Sequence, residues 1–117
     1  KLGRLDEALR VIEQAIESNP WQASLYREKG KVLRASGRLQ ESLRFLEKAL
    51  SHLKEITRDK GKLYYLYYDL VRLHLNHGSR RRAEDLVAEM RLSGLLADED
   101  RREEIDRLLA SDGRSHR

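Results

Sequence analysis

The sequence predicts an all-α protein, in which antiparallel helix hairpins stack side by side and a final helix caps the stack. Three observations lead to this class. A turn followed by a helix recurs after 34 residues, between Gly3 and Gly37. Apolar residues between the turns recur every three or four positions, which is the period of a helix with one buried face. Finally, one proline, no cysteine and 38% charged residues exclude loop-dominated folds, disulfide scaffolds and membrane-spanning segments.

The size and charge of the chain bound its class. Its 117 residues suffice for one modest domain, which we expect at 1–110, followed by a flexible tail at 111–117. Lys and Arg outnumber Asp and Glu by 24 to 20, and the excess lies in the first half of the chain. Because acids and bases are interspersed, the pattern favours a solvated helix surface over a dedicated nucleic-acid face. Because 38% of the residues are charged and no long apolar run occurs, we expect a soluble protein. No leader-like segment begins the chain, so we expect it to be cytoplasmic, and the missing initial methionine suggests a segment of a longer protein.

The repeated unit is visible in three copies. Leu-Gly-Arg-Leu at 2–5 returns as Ser-Gly-Arg-Leu at 36–39, and an apolar helical pattern follows each. A weaker third copy starts at Gly78; its offset from Gly37 is 41 rather than 34, so seven residues are added around 56–62. A fixed period of this length is typical of helical solenoids, in which no single helix pair buries its own apolar stripe.

Local signals predict where the helices begin and end. Asn19 and Pro20 predict the start of the second helix, because Asn accepts hydrogen bonds from free N–H groups and Pro lacks the donor that would be unpaired there. Gly30, inside this helix, is expected to let a neighbouring helix approach closely. Three glycines are expected to end helices by adopting positive φ, namely Gly3, Gly37 and Gly78. The predicted helices are 5–18, 20–36, 39–55, 61–77, 80–92 and 98–110.

The two ends of the predicted stack differ in how their apolar helix faces are covered. The last helix, 98–110, has a narrow apolar side at Ile105, Leu108 and Leu109, and the acids near its start suit the helix dipole. It is therefore expected to cap the stack with a polar outer face. The first helix, 5–18, lacks a hairpin mate. We expect upstream repeats or a second copy of the chain to cover it, so homo-oligomerisation through this helix stays open.

The repeats resemble the tetratricopeptide repeat (TPR) family, whose pattern places an aromatic residue, Leu, Gly and Tyr on one helix and Ala, a bulky apolar residue and Ala on the next. In the second repeat these places are held by Tyr26, Lys29, Gly30, Leu33, Ser42, Leu46 and Ala49. In the third they are held by Tyr67, Leu70, Val71, His74, Ala83, Val87 and Met90. The resemblance covers residues 1–91 and divides the chain into a truncated repeat 1–20, a second repeat 21–55 and a third repeat 61–92. It implies a right-handed superhelix.

The resemblance also implies a function, because the first helix of each TPR pair lines a concave groove that binds peptides. Carried over by position, the peptide-binding groove receives Arg27, Lys31, Arg34, Tyr65, Tyr68, Arg72 and Asn76. Arg offers bidentate hydrogen bonds and Tyr offers rigid amphipathic area, so an acidic peptide or a chain-terminal carboxylate fits these residue types. For Tyr64 and Tyr65, the sequence leaves core and groove equally open. The predicted function is a non-enzymatic scaffold for protein–protein interaction, without a cofactor.

Other functions rest on fewer residues. Arg80-Arg81-Arg82 and a pI of about 9.5 favour a nucleic-acid-binding solenoid, but acids that follow on the same helix are expected to pair with this run. A structural or self-association segment is a further alternative. His74 and His77 could share a face as metal ligands, but no other ligand motif supports a metal site. No nucleophile with a base and no phosphate-binding loop is apparent, so the sequence predicts no catalytic residues.

Overall fold

The computed structural model describes the backbone of residues 2–115 and the side chains of residues 3–110. Within this part the chain forms six α-helices and no β-strand, which confirms the predicted all-α class. The helices are α1 (Leu2–Ser18), α2 (Ala23–Ala35), α3 (Leu39–Ile56), α4 (Tyr64–His77), α5 (Arg80–Leu92) and α6 (Glu99–Ser115). One turn of 3-10 helix, Lys60–Leu63, leads into α4.

The helices fall into two compact units, residues 1–59 and residues 60–117. In the first unit, α2 packs against both α1 and α3. In the second unit, α4 packs against α5, α6 and the 3-10 turn. The single domain expected at 1–110, its repeat boundaries and the stacking of the hairpins into a superhelix stay predictions.

The α2–α3 hairpin closes through small residues, as the sequence predicts for Gly30. A Cβ atom at Gly30 would lie 2.9 Å from both Cδ atoms of Leu46, so the missing side chain permits the approach of α3. Ser42 uses the same space, because its buried hydroxyl donates a hydrogen bond of 2.9 Å to the carbonyl of Gly30. Ala49 continues the small, buried positions along α3.

Alanine at Gly30 is therefore expected to destabilise the protein. Overpacking of a dense core costs about 1–3 kcal/mol, and the better helix propensity of alanine returns about 1 kcal/mol at most. The net expectation is a loss of up to about 2 kcal/mol in the free energy of unfolding, measured by denaturant titration. Gly3→Ala is the matched control, since Gly3 is helical and a Cβ there meets nothing within 4 Å. It should be neutral or stabilising, and an equal effect of both substitutions would contradict the close-approach argument.

Several predicted helix ends need correction. Gly3 does not mark a turn, because it lies within α1. The second helix begins at Ala23 rather than at Pro20, and its N-cap is Gln22. The Asn19 side chain instead serves the preceding helix, since its Nδ2 donates a hydrogen bond of 3.2 Å to the carbonyl of Ala15.

The glycines after the first turn act in two different ways. Gly37 has φ +82°, as expected for a glycine that ends a helix, and Gly94 has the same φ at a turn that the sequence did not predict. Gly78 has φ −128° instead, and its need for glycine is steric, because a Cβ would lie 2.6 Å from His74 Nδ1. Helix α6 continues to Ser115, beyond the predicted end of the last helix at 110, and residues 116–117 lie outside the described residues. The flexible tail expected at 111–117 stays a prediction.

Candidate partner-binding surface

One candidate surface, in the first unit, is a row of basic residues on α2, formed by Arg27, Lys31 and Arg34 and called here the basic row. Spacings of four and three residues place them on one helical face. The adjacent face of α2, about 100° away around the helix axis, contains Tyr26, Gly30 and Leu33, which are all buried in the core of the first unit. The basic row therefore borders that core, with Lys31 exposed and Arg27 and Arg34 half-buried.

Two of the three charges of the basic row, those of Lys31 and Arg34, are at most weakly paired. Lys31 Nζ lies 3.9 Å from a carboxylate oxygen of Glu28, and both side chains are more than half exposed. Such a pair contributes little, because solvent screens it. Arg34 makes no ion pair with any other residue whose side chain is described. Positive charge at Lys31 and Arg34 therefore remains for an external anion.

Lys29, on the same helix, has a different role. Its ammonium group lies 2.9 Å from a Glu13 carboxylate oxygen and 4.5 Å from the centre of the Phe45 ring. Phe45 also stacks on Tyr26, with ring centres 5.9 Å apart. Lys29 therefore ties α2 to α1 and α3 within the first unit, which explains how a lysine occupies a position where the TPR pattern has leucine.

Another candidate surface, in the second unit, lies on α4 and is called here the aromatic row, formed by Tyr65, Tyr68, Arg72 and Asn76. Tyr65 is 48% exposed and Asn76 is also exposed, whereas Tyr68 and Arg72 are half-buried. The adjacent Tyr64 is fully buried. The sequence left core and groove equally open for Tyr64 and Tyr65. Their burial shows that Tyr64 belongs to the core and Tyr65 to the surface.

The positive charge of Arg72 is partly balanced by a carboxylate of its own unit. Its guanidinium lies 3.8 Å from a carboxylate oxygen of Asp69, a side chain that is itself buried. The same guanidinium lies 5.7 Å from the centre of the Tyr68 ring. The α4 surface is therefore aromatic and polar in character.

Helix α6 brings acidic groups to the exposed end of the aromatic row, which the sequence did not predict. An open pocket of about 350 Å³ is lined by Tyr65, Asp98, Asp100, Arg101, Glu104 and Arg107. Asp98 Oδ1 caps α6 by accepting hydrogen bonds from the backbone N–H groups of Asp100 (2.7 Å) and Arg101 (3.3 Å). These carboxylates make the Tyr65 end of α4 a poor place for a partner's acids.

Two tyrosines of α4 hold the other helices of the second unit. The Tyr64 hydroxyl donates a hydrogen bond to Glu104 of α6, and the Arg101 guanidinium lies 4.4 Å from the centre of the same ring. The Tyr67 hydroxyl donates a hydrogen bond of 3.0 Å to Glu89 of α5. Burial, followed by the hydrogen bond to the glutamate, raises the pKa of Tyr64 and of Tyr67 well above the ordinary value of 10.0.

The arginine run of α5 is largely paired, as the sequence predicts. Arg80 Nε lies 3.1 Å from a carboxylate oxygen of Glu84, and Arg82 lies 3.7 Å from Glu89. The helix start is fixed by the Ser79 hydroxyl, which accepts a hydrogen bond of 3.1 Å from the Arg82 N–H. These ion pairs reduce the positive charge that Arg80 and Arg82 offer to a nucleic acid.

His74 takes part in the turn between α4 and α5. Its Nδ1 accepts a hydrogen bond of 3.4 Å from the backbone N–H of Ser79. Among the residues described, no three His, Asp or Glu side chains come together in a way that could hold a metal ion. Within the described chain, no helix is both long enough and apolar enough to cross a membrane.

Comparisons with known proteins leave the chain without a relative. No family model matches it, and neither a curated protein nor a solved structure is significantly similar to it. They therefore give no support to a TPR assignment, which rests on the residue pattern alone.

Proposed function

We propose that the chain is a non-enzymatic protein-interaction module of TPR-like architecture, which binds an acidic segment of a partner protein. The observation that carries the proposal is the basic row of α2. Its helix is fixed by a buried adjacent face, while Lys31 has only a long, exposed ion pair and Arg34 has none with a described residue. A rigid helix that holds cations towards solvent is suited to an anionic partner.

The wider charge distribution of the first unit supports the same partner. Residues 23–58, which contain α2 and α3, hold nine Lys and Arg against four Asp and Glu. An excess of this size speeds the encounter with an acidic segment and makes the association depend on salt. Arg27 and Arg34 also offer planar forks of donors that match a carboxylate, whether it belongs to a side chain or to the end of a chain.

The proposal includes the finer architecture that the sequence resemblance implies. In both hairpins the residues at the TPR core positions are buried, with Lys29 and His74 half-buried instead. This pattern is consistent with hairpins that stack into a right-handed superhelix and with α6 as the capping helix. The aromatic row would then add rigid contact area from Tyr65 and Tyr68.

The function is tested by selecting binders from a displayed library of random peptides on the full chain. We expect acidic sequences to be enriched. The variant R27E/K31E/R34E should then weaken the selected peptides by about 100-fold or more, since each reversed charge replaces an attractive contact with a repulsive one. Affinities are measured by calorimetry at low and at physiological salt.

A matched control separates the basic row from net charge. R44E/K48E/R58E makes the same change in charge at three exposed positions of the first unit that lie outside the basic row. It should weaken the same peptides far less, and circular dichroism should show equal helicity in both variants. Equal losses in the two variants would show that only net charge matters, and enrichment without acidic sequences would refute the proposal.

The nucleic-acid alternative has its own discriminating variant. If the arginine run of α5 bound a phosphate backbone, R80E/R81E/R82E should abolish binding of a single-stranded oligonucleotide, and wild-type binding should fall steeply as salt is raised. Under the proposed function, this variant leaves the affinity for the selected acidic peptides within a few-fold of wild type.

A further inference from the structure

Trp21 is an exposed aromatic residue on a loop that is otherwise firmly held. It lies between α1 and α2, 61% of its surface is exposed, and it is the only tryptophan of the chain. On one side of it, the Tyr26 hydroxyl donates a hydrogen bond of 2.8 Å to the carbonyl of Pro20. On the other side, the N–H of Gln22 donates a hydrogen bond of 3.1 Å to the carbonyl of Asn19. The indole is therefore presented by a fixed backbone.

This combination favours an interface over an incidental exposure. Apolar surface left in water is unfavourable, and a partner that covers it gains that burial. Because the loop is already ordered, binding would cost little additional conformational entropy. Tryptophan and arginine are also the residue types most enriched among the residues that dominate interface energies.

The position of the loop identifies the chemistry of the partner. The hydrogen bond from Tyr26 to the Pro20 carbonyl holds the loop against the first turns of α2. Trp21 thus lies at the beginning of the helix that carries the basic row, within a unit whose residues 23–58 have nine basic side chains against four acidic ones. An occupant that reaches both Trp21 and the basic row needs an apolar side chain for the indole and carboxylates for the basic row.

We propose that Trp21 anchors the partner, by packing on an apolar side chain of an acidic peptide whose carboxylates pair with the basic row. This inference rests on the proposed function and deepens it. It defines the partner segment as acidic and amphipathic, in contrast to a purely acidic tail.

The single tryptophan makes the proposal directly measurable. Peptides selected on the full chain should combine acids with Leu, Phe or another large apolar residue. When such a peptide is added, the fluorescence maximum of Trp21 should move to shorter wavelength and acrylamide should quench it less. Replacing the apolar residue of the peptide by serine should remove the shift.

Substitution of the anchor gives the quantitative test. Trp21→Ala should weaken the selected peptides by about 30-fold, a loss typical of a dominant interface residue, and Trp21→Phe should weaken them less. Leu92→Ala is the matched control, because Leu92 is 90% exposed and lies on α5, away from the basic row in the sequence. It should leave the affinity unchanged, and the helical circular dichroism should be equal in all variants.

The outcomes distinguish this proposal from the function on which it rests. If R27E/K31E/R34E abolishes peptide binding while Trp21→Ala and the fluorescence maximum show no effect, the anchor is refuted and the proposed function stands. If neither variant affects the peptides, the proposed function fails as well. A fluorescence shift caused only by an oligonucleotide would overturn the proposal, as would one that appears with rising protein concentration alongside a dimer in sedimentation.

Discussion

Replacing Ile105 by alanine is expected to lower the free energy of unfolding by about 2–5 kcal/mol, the usual cost of truncating a fully buried isoleucine. Ile105 is the one side chain of α6 that is fully buried among those described, and α6 packs on α4. The loss combines the transfer of the removed methyl groups with the cavity left behind. Denaturant unfolding followed by circular dichroism measures it.

Leu92→Ala provides the control for this substitution as well. Leu92 is 90% exposed, so its truncation should change the free energy of unfolding by no more than about 0.5 kcal/mol. Ile105→Ala should also increase the exposure of Tyr64, whose hydroxyl is bonded to Glu104 in the same helix. A loss below about 1 kcal/mol would show that α6 contributes little to the second unit.

Alkaline pH is expected to destabilise the second unit through Tyr64 and Tyr67. Their pKa values in the folded protein lie well above the ordinary value of 10.0, because both are buried and hydrogen-bonded to a glutamate. Below pH 10 the tyrosines are neutral in both states and their contribution is fully present. Above pH 10 the unfolded chain releases these protons first, so stability should fall by about 1.4 kcal/mol per pH unit for each tyrosine.

Phenylalanine substitutions isolate this effect from the titration of lysines. Y64F/Y67F removes both ionising groups and should flatten the decline in stability between about pH 10 and 12 relative to wild type. At neutral pH the same variant should be less stable by about 1–3 kcal/mol per position, because Glu104 and Glu89 lose their donors. An unchanged slope above pH 10 would contradict the assigned role of the two hydroxyl groups.

Local signals explain which parts of the fold the sequence could predict. The positive φ of Gly37 and the close approach at Gly30 each depend on the missing side chain of one residue. The position of that glycine in the helical pattern is therefore enough to predict them. The sequence predicts Asn19 as the cap of the second helix, but its side chain can bond to either neighbouring helix. In the structure its Nδ2 donates a hydrogen bond to the carbonyl of Ala15 in the preceding helix. The prediction of a turn at Gly3 is wrong because it depended on the similarity of residues 2–5 to residues 36–39. Such a similarity does not show whether the helix ends at the glycine or continues past it.

The site was less predictable, since its character depends on contacts between distant residues. Spacing alone placed the basic row on one face of α2. It could not show that α6 brings Glu104 to a tyrosine of α4. Nor could it show that Lys29, which departs from the leucine of the TPR pattern, forms an ion pair with Glu13 and a cation–π contact with Phe45. Each of these contacts joins residues whose proximity no local pattern encodes.

The most direct test of partner binding by α2 is a map of backbone amide chemical shifts during titration with a selected acidic peptide. The account predicts that the largest changes fall on Arg27, Lys31 and Arg34, together with the indole N–H of Trp21, and that they diminish as salt is raised. The largest changes would contradict it if they fell instead on exposed α3 residues such as Arg44 and Lys48, or on the arginine run of α5.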